Sequence, residues 1–256
     1  MKLVILAGGL GSRLSEETHL KPKPLVEIGG MPMIWHIMKY YSHFGFREFI
    51  ICLGYKGYLI KDYFHRYHLM RNDLTIDIGK RIEFLNDEAE DWSVTLVDTG
   101  NSTQTGGRLK RVKSFLGEED FCLTYGDGLG DVDINALLDF HNSHNKIVTV
   151  TAVHPPARFG ALGLTGTKVD EFVEKPTSGS GWINGGFFVM SPQVLDLIVD
   201  DHSIFEREPM EQLSQQQQLH AFVHNDFWQP MDTLRDKNHL EELWATNKAP
   251  WKIWNE

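Results

Sequence analysis

Only two cysteines occur in the 256 residues, Cys52 and Cys122, and each sits inside an apolar run (FIICL and FCLTY) with no second cysteine at chelating distance. That excludes a disulfide framework and a cysteine-built metal site. Both read as small core residues of a protein kept in reducing surroundings. Long hydrophobic runs are also missing. No segment approaches the ~20 apolar residues of a membrane span, and the opening MKLVILAGG has too short an apolar run, and no small-residue cleavage site, for a secretion signal. A soluble, cytoplasmic protein with no membrane partner is expected. Positive charge is in the minority, 25 basic against 35 acidic residues for a net charge of -10, so no overall field draws in a polyanion and no nucleic-acid partner is expected. None of the 12 histidines stands in a metalloprotease pattern, and there is no Gly-x-Ser-x-Gly elbow or paired Cys-His arrangement. The pairs His65/His68 and His141/His144 are assigned surface or core roles on helices.

What is present is a chain with 41% apolar residues, enough for a sizeable core. Apolar runs of strand length recur at Lys2 to Ala7, Glu48 to Leu53, Val94 to Val97, Phe121 to Tyr125, Ile147 to Val153 and Ile183 to Met190. Stretches of helical period separate them. One helix opens with Pro32 at its first position, carries the stripe Ile34, Ile37, Met38 and Tyr41, and stops at Gly45. Asp133 caps a second, INALLDFHNSH, and Ser191 with Pro192 opens a third, QVLDLIV. Alternation from Ala161 to Pro176 predicts an antiparallel hairpin that edges or covers the main sheet. Thr233 to Asn247 predicts a last helix with Leu234, Leu240, Leu243 and Trp244 on its apolar face, followed by Trp251 and Trp254, which pack on their own domain. The fold class is α/β, a Rossmann-like, mostly parallel but mixed sheet flanked by helices with a small antiparallel hairpin element. One domain, 1–256, is expected.

The first strand runs into a glycine-rich loop, LAGGLGSRL, at Leu6 to Leu14. Such a loop turns sharply and brings backbone N–H groups close to an anion. It is neither a dinucleotide fingerprint, since Leu14 stands where the sixth-position glycine would be, nor a P-loop, since no Gly-Lys-Ser/Thr follows. It carries its own guanidinium, Arg13, and is followed by a second cationic element, KPKP, in which prolines hold Lys23 near the loop without a helix. The strand FCLTY leads into Gly126 and Asp127, placing a carboxylate at a strand's carboxyl end, where open α/β sheets bind ligands. A second carboxylate, Asp232, precedes the last helix and is equally placed to cap it. Spacing alone does not bring the two together. A carboxylate at that position suits Mg²⁺, which takes one or two carboxylates plus phosphate oxygens. Asp98, Asp131 and Asp133 read as structural.

The motif LAGGLGSRL…KPKPLVEIGG, with FVEKP and INGGFFV further on, resembles the opening and the sugar pocket of the sugar nucleotidyltransferases. The resemblance implies that Leu6, Ala7, Gly8, Gly9, Leu10, Gly11 and Ser12 bind base and phosphates. It gives Arg13 the triphosphate, Lys23 the α-phosphate, and Asp127 with Asp232 the catalytic Mg²⁺. It implies a sugar-phosphate pocket of Tyr125, Glu174, Lys175, Asn184, Gly185 and Gly186. Thr103 and Arg108, in TLVDTGNSTQTGGRLKRV between strands taken as central, would serve the nucleotide, with Gly126 beside them and Arg108 as a further phosphate cation. That stretch, the wording from Asp226 to Pro230 and the tail APWKIW are similar to the branch of the family that joins CTP to glucose 1-phosphate. The branch implies a nucleotide-binding part of about 1–130, a sugar-phosphate part of about 131–256, service to bacterial surface-polysaccharide synthesis, and a homo-oligomer, a hexamer by resemblance.

Overall fold

The structure is a computed structural model that describes residues 1–156, 161–165, 168–173 and 181–254. Seven strands, numbered here along the chain, form the central sheet: β1 Lys2–Ala7, β2 Glu48–Leu53, β3 Ser93–Asp98, β4 Phe121–Tyr125, β5 Val148–Val153, β6 Ile183–Met190 and β7 Leu219–Val223. Their spatial order is β7-β5-β6-β4-β1-β2-β3. All neighbours are parallel except β6, which runs antiparallel to both β4 and β5. Helices on both faces bury the sheet, so β1 and β2 carry nearly continuous apolar runs instead of alternating ones, and β5 is buried along its whole length. Two cores result. On one face Leu3, Ile5, Phe49 and Ile51 meet Tyr41 and Trp251; on the other Val4, Ile50, Leu123 and Phe188 meet Leu109, Leu195 and Phe205.

Several local expectations hold to within a residue. The helix Met33–His43 buries Ile34, Ile37, Met38 and Tyr41, although Pro32 precedes it instead of opening it. The Asp133 side chain accepts from Ala136 N and caps Ile134–His144. Ser191 and Pro192 lead into a short 3₁₀ turn, Pro192–Leu197, with no side-chain cap. The hairpin forms from Ala161–Thr165 and Lys168–Val173, as a two-stranded unit of its own instead of an edge of the main sheet. The tail packs on its own domain: Trp251 is fully buried and, with Trp244, Trp254 and Trp35, surrounds His36. Burial pushes the His36 pKa down to about 4, and the ring sits at 2.8 Å from Ile28 O while Trp251 Nε1 donates to Nδ1. It is a neutral core histidine. Cys52 and Cys122 are buried and unpaired, and burial pushes the Cys52 thiol up to about 12. No helix among the described residues is long and apolar enough to cross a membrane.

Candidate active site

After Ala7 the chain leaves β1 as an open loop in which Gly9 and Leu10 are exposed and nothing lies within 4 Å of where a Gly9 side chain would start. Gly11 takes a left-handed φ of +64°, and a Cβ there would meet Thr18 Cγ2 at 2.8 Å. Thr18 locks this turn by donating to both Gly11 O and Leu14 O. A single 3₁₀ turn, Ser12–Leu14, then buries Leu14 and leaves Ser12 and Arg13 facing outward. The KPKP element forms another 3₁₀ turn, Lys23–Leu25, instead of the non-helical strut that its prolines suggest, and it buries Lys23. Beside it, Gly126 N donates to Leu6 O at 3.0 Å, and a Cβ on Gly126 would press on that oxygen and on Pro24. A glycine here lets β4 deliver Asp127 next to the loop.

Asp232 reaches the same place through a short antiparallel ribbon. Gly128–Gly130 pairs with Trp228–Pro230, with Pro230 opposite Gly128, and Met231 N donates to Asp127 O at 2.8 Å. Two aspartates 105 positions apart are thereby held by backbone. The helix cap that Asp232 could have supplied falls one residue later. The Thr233 side chain accepts from Asp236 N, and Asp236 closes a capping box on Thr233 N. Asp232 is thus relieved of capping and turns toward the cleft.

The charges then interlock. Lys23 Nζ donates to Asp127 Oδ2 at 2.7 Å and to Asp232 Oδ1 at 2.8 Å, while Arg13 Nη1 donates to Asp232 Oδ2 at 2.7 Å. Burial by itself would lower the Lys23 pKa, but the two carboxylates reverse that and hold it above the ordinary lysine value. Two cations and two carboxylates balance, so an incoming triphosphate needs further positive charge. Among the described residues no group of three or more His, Cys, Asp or Glu is placed to hold a metal ion. The Asp127–Asp232 pair nevertheless suits Mg²⁺, whose remaining ligands are phosphate oxygens and water. One oxygen from each already closes on a cation, the Lys23 ammonium.

These groups open on a cleft of about 530 Å³ that runs from Leu6, Gly9 and Ser12 past Thr103 to Tyr125, Asn184 and Trp228. Thr103 is buried at its wall. The Gly185 carbonyl accepts from Trp228 Nε1 at 2.6 Å, and a Cβ at Gly185 would strike Val153. Glu174 and Lys175 lie outside the described residues. Gln104, Thr105 and Trp228 also line the cleft and were not singled out from the sequence, although Trp228 stands in the very FWQP stretch that carried the branch resemblance.

Arg108 is a correction. It lines the cleft, but its guanidinium is committed to protein oxygens and is not a spare cation. Nη1 donates to Leu53 O, Thr99 Oγ1 and Gly100 O, and Nη2 to Gly8 O and Asn101 O. It lies across two glycines: a Cβ on Gly8 would fall 2.1 Å, and one on Gly54 2.5 Å, from Nη1. Arg108 fastens the glycine-rich loop to the ends of β2 and β3. Strand β3 is itself the outer edge of the sheet, not a middle strand.

A half-buried ion pair braces the ribbon that carries Asp232. His224 Nε2 lies 3.0 Å from Asp131 Oδ1 and 3.2 Å from Phe227 O. Burial pushes the His224 pKa down, but the Asp131 carboxylate and the Phe227 carbonyl outweigh it, leaving the pKa above its ordinary value, with Asp226 adding in the same sense. A folded-state pKa above the unfolded one contributes stability that is fully present below about pH 6.5 and is lost as pH rises through the folded value. Melting temperature is therefore expected to fall as pH rises above about 6.5, with the slope reduced in His224→Gln. Thermal melts of the two proteins across neutral pH check this, and parallel curves would remove the pair from the account.

The sequence pattern of the family described as "Nucleotidyl transferase" matches residues 2–241. The chain is 57% identical over 256 residues to the glucose-1-phosphate cytidylyltransferase of Salmonella typhimurium, covering 99% of this chain and 100% of that one. It is 31% identical over 248 residues to the mannose-1-phosphate guanyltransferase of Aspergillus oryzae, covering 94% of this chain and 62% of that protein. Among solved structures, the UDP-glucose pyrophosphorylase from Acinetobacter baumannii shares the fold with a TM-score of 0.71 at 16% identity, over 96% of this chain and 93% of that one.

Proposed function

The chain belongs to the nucleotidyl transferase family, and from that premise we propose that it transfers a cytidylyl group from CTP to α-D-glucose 1-phosphate, releasing pyrophosphate and forming CDP-D-glucose. The observation that carries the transfer chemistry is Lys23 clasped between Asp127 and Asp232, with Arg13 on the same carboxylate, at the foot of the glycine-rich loop. The choice of base and sugar rests on the 57% identity to a cytidylyltransferase of the same length span.

In this reading a phosphate oxygen of glucose 1-phosphate attacks the α-phosphorus of CTP in line. A new P–O bond forms, the bond between the α-phosphorus and the bridging oxygen breaks, and the electron pair leaves with pyrophosphate. The nucleophile arrives as an anion, so the residues need only position it and neutralise charge. Lys23 and Arg13 do so at the α-phosphate and the departing pyrophosphate. Asp127 and Asp232 would hold Mg²⁺, which when bound supplies the charge neutralisation that the balanced cluster lacks. The loop from Leu6 to Ser12 and the wall at Thr103 take the nucleotide. Tyr125, Asn184 and Gly185, with Glu174 and Lys175, take the sugar phosphate, Lys175 anchoring the attacking phosphate. The nucleotide part is then about 1–130 and the sugar-phosphate part about 131–256, with Asp232 crossing back to the first. The setting is the bacterial cytoplasm, upstream of deoxysugars for surface polysaccharide, and the active form a homo-oligomer.

Purified protein given Mg²⁺, glucose 1-phosphate and, in turn, CTP, UTP, dTTP or GTP is expected to release pyrophosphate with CTP at least about tenfold faster than with the others. Preference for UTP or dTTP would overturn the base assignment. Activity only with mannose 1-phosphate and GTP would move the chain to the guanyl branch, and nucleotide binding without turnover would make it a sensor built on this fold.

A further inference from the structure

Behind Tyr125 stands a carboxylate that the reaction above does not use. Glu206 sits in the segment that follows residues 200–203, which pack on Gly106 and Gly107: Gln104 N donates to Asp201 O, and Gly106 N donates to Ser203 O at 3.0 Å. Side chains at these glycines would strike Ser203 O at 2.7 Å and Asp201 Cα at 2.6 Å. The segment is therefore fixed against the wall of the cleft. Its Glu206 uses both oxygens: Tyr125 O–H donates to Oε1, and Thr105 Oγ1 donates to Oε2 at 2.6 Å. Thr105 is itself held, because its hydroxyl accepts from Phe205 N at 2.9 Å.

The direction of each hydrogen bond then follows by elimination. A phenol has one proton to donate, and Glu206, which can only accept, takes it. Tyr125 must therefore accept from Asn184, whose Nδ2 lies 3.1 Å from the phenol oxygen. The other end of the Asn184 amide is fixed as well, since Gly186 N donates to Asn184 Oδ1 at 2.8 Å. Gly186 makes the contact possible: it takes φ +80°, and a Cβ there would fall 2.5 Å from Tyr125 Cδ2. The amide cannot flip without losing both bonds. Its second N–H is left for the cleft that Asn184 lines. Without the carboxylate, the Tyr125 hydroxyl is free to reverse and donate, so turning the Asn184 amide costs only the Gly186 N–H bond instead of both.

We infer that Glu206 is a positioning residue for the sugar-phosphate half of the site: through Tyr125 it holds the Asn184 amide with an N–H donor, never a carbonyl, toward an oxygen of the sugar phosphate.

The inference rests on the proposed reaction, so the unsubstituted protein is assayed first; absence of turnover there counts against the reaction and not against Glu206. Glu206→Ala is then expected to raise KM for glucose 1-phosphate about tenfold, the scale of one lost hydrogen bond to a charged group, with KM for CTP and kcat changed by less than about threefold. Glu206→Gln, whose amide oxygen still accepts from Tyr125, recovers most of the loss. In a Tyr125→Phe background Glu206→Ala adds no further rise in KM, because the hydroxyl it acts through is already gone. Equal rises in both KM values, additive effects in the double variant, or an unmoved KM for glucose 1-phosphate in a working enzyme would each overturn the assignment.

Discussion

Asp127→Ala is expected to lower turnover by about a hundredfold or more while leaving the melting temperature within a few degrees of the parent. The two halves of this expectation come from different atoms of one residue. The structural work at position 127 is done by backbone: the Asp127 carbonyl accepts from Met231 N, and the preceding amide, Gly126 N, is tied to Leu6 O. The side chain is about a third exposed and holds only one oxygen of the cluster, on Lys23. Losing it leaves Lys23 still paired with Asp232, and Asp232 still paired with Arg13. No buried charge is stranded, so the fold persists. What is lost is one of the two carboxylates fit to hold Mg²⁺. Lys23→Ala differs in kind: it removes a buried ammonium from between two carboxylates and lowers stability as well as turnover. Pyrophosphate release at saturating Mg²⁺, measured beside a thermal melt for each variant, separates the two. Near-normal turnover of Asp127→Ala under those conditions would sink the metal assignment.

Where side chains are wholly buried, the chain announces its own structure. Strands β1, β2, β4 and β6 begin and end at the residues that their apolar runs mark. Strand β7 is not legible in the sequence, because it is an edge strand with a half-exposed face. The hairpin Leu74–Asp77 with Arg81–Phe84 escaped for a similar reason, its second strand being exposed throughout. The last helix runs Leu234–Ala245 and buries Leu240, but Leu234 is 41% exposed, so the apolar face starts later than the pattern suggested.

The site was legible as residue types and illegible as a map. Arg13, Lys23, Asp127 and Asp232 were each recognisable, yet Asp232 could equally have been a cap. Only the Thr233–Asp236 box, which takes that duty, frees its carboxylate. Strand order is likewise absent from local pattern, since crossovers decide it. That is why the stretch around Thr103 was assigned to the middle of the sheet, while β3 forms its edge. Tyr125 and Asn184 were identified as pocket residues, whereas Glu206, which orients both, carries no motif and meets them only through the packing of its segment on Gly106 and Gly107.

Arg108 shows how charge alone misleads, and it supplies the other large effect. A cation near a phosphate loop reads as a phosphate ligand, but Gly8 and Gly54 leave room for the guanidinium to sink between β1 and β2, where carbonyl oxygens surround it. Arg108→Leu keeps much of the volume and removes every donor, leaving the carbonyls of Gly8, Leu53 and Gly100 with one partner fewer in a site largely closed to water. At about 1.5–3 kcal/mol for a hydrogen bond to a charged group, and with Gly8 O and Leu53 O keeping Tyr55 N and Thr99 N as donors, a loss of roughly 2–4 kcal/mol is expected. Arg108→Lys recovers little, because one ammonium with three donors cannot span oxygens on three segments as a planar fork does. The loosened Gly8 is also expected to raise KM for CTP, since it begins the loop proposed to take the nucleotide. Urea unfolding of both variants reads the stability, and a midpoint equal to that of the parent would mean that water replaces the guanidinium without cost and that the clamp is not what fixes the loop.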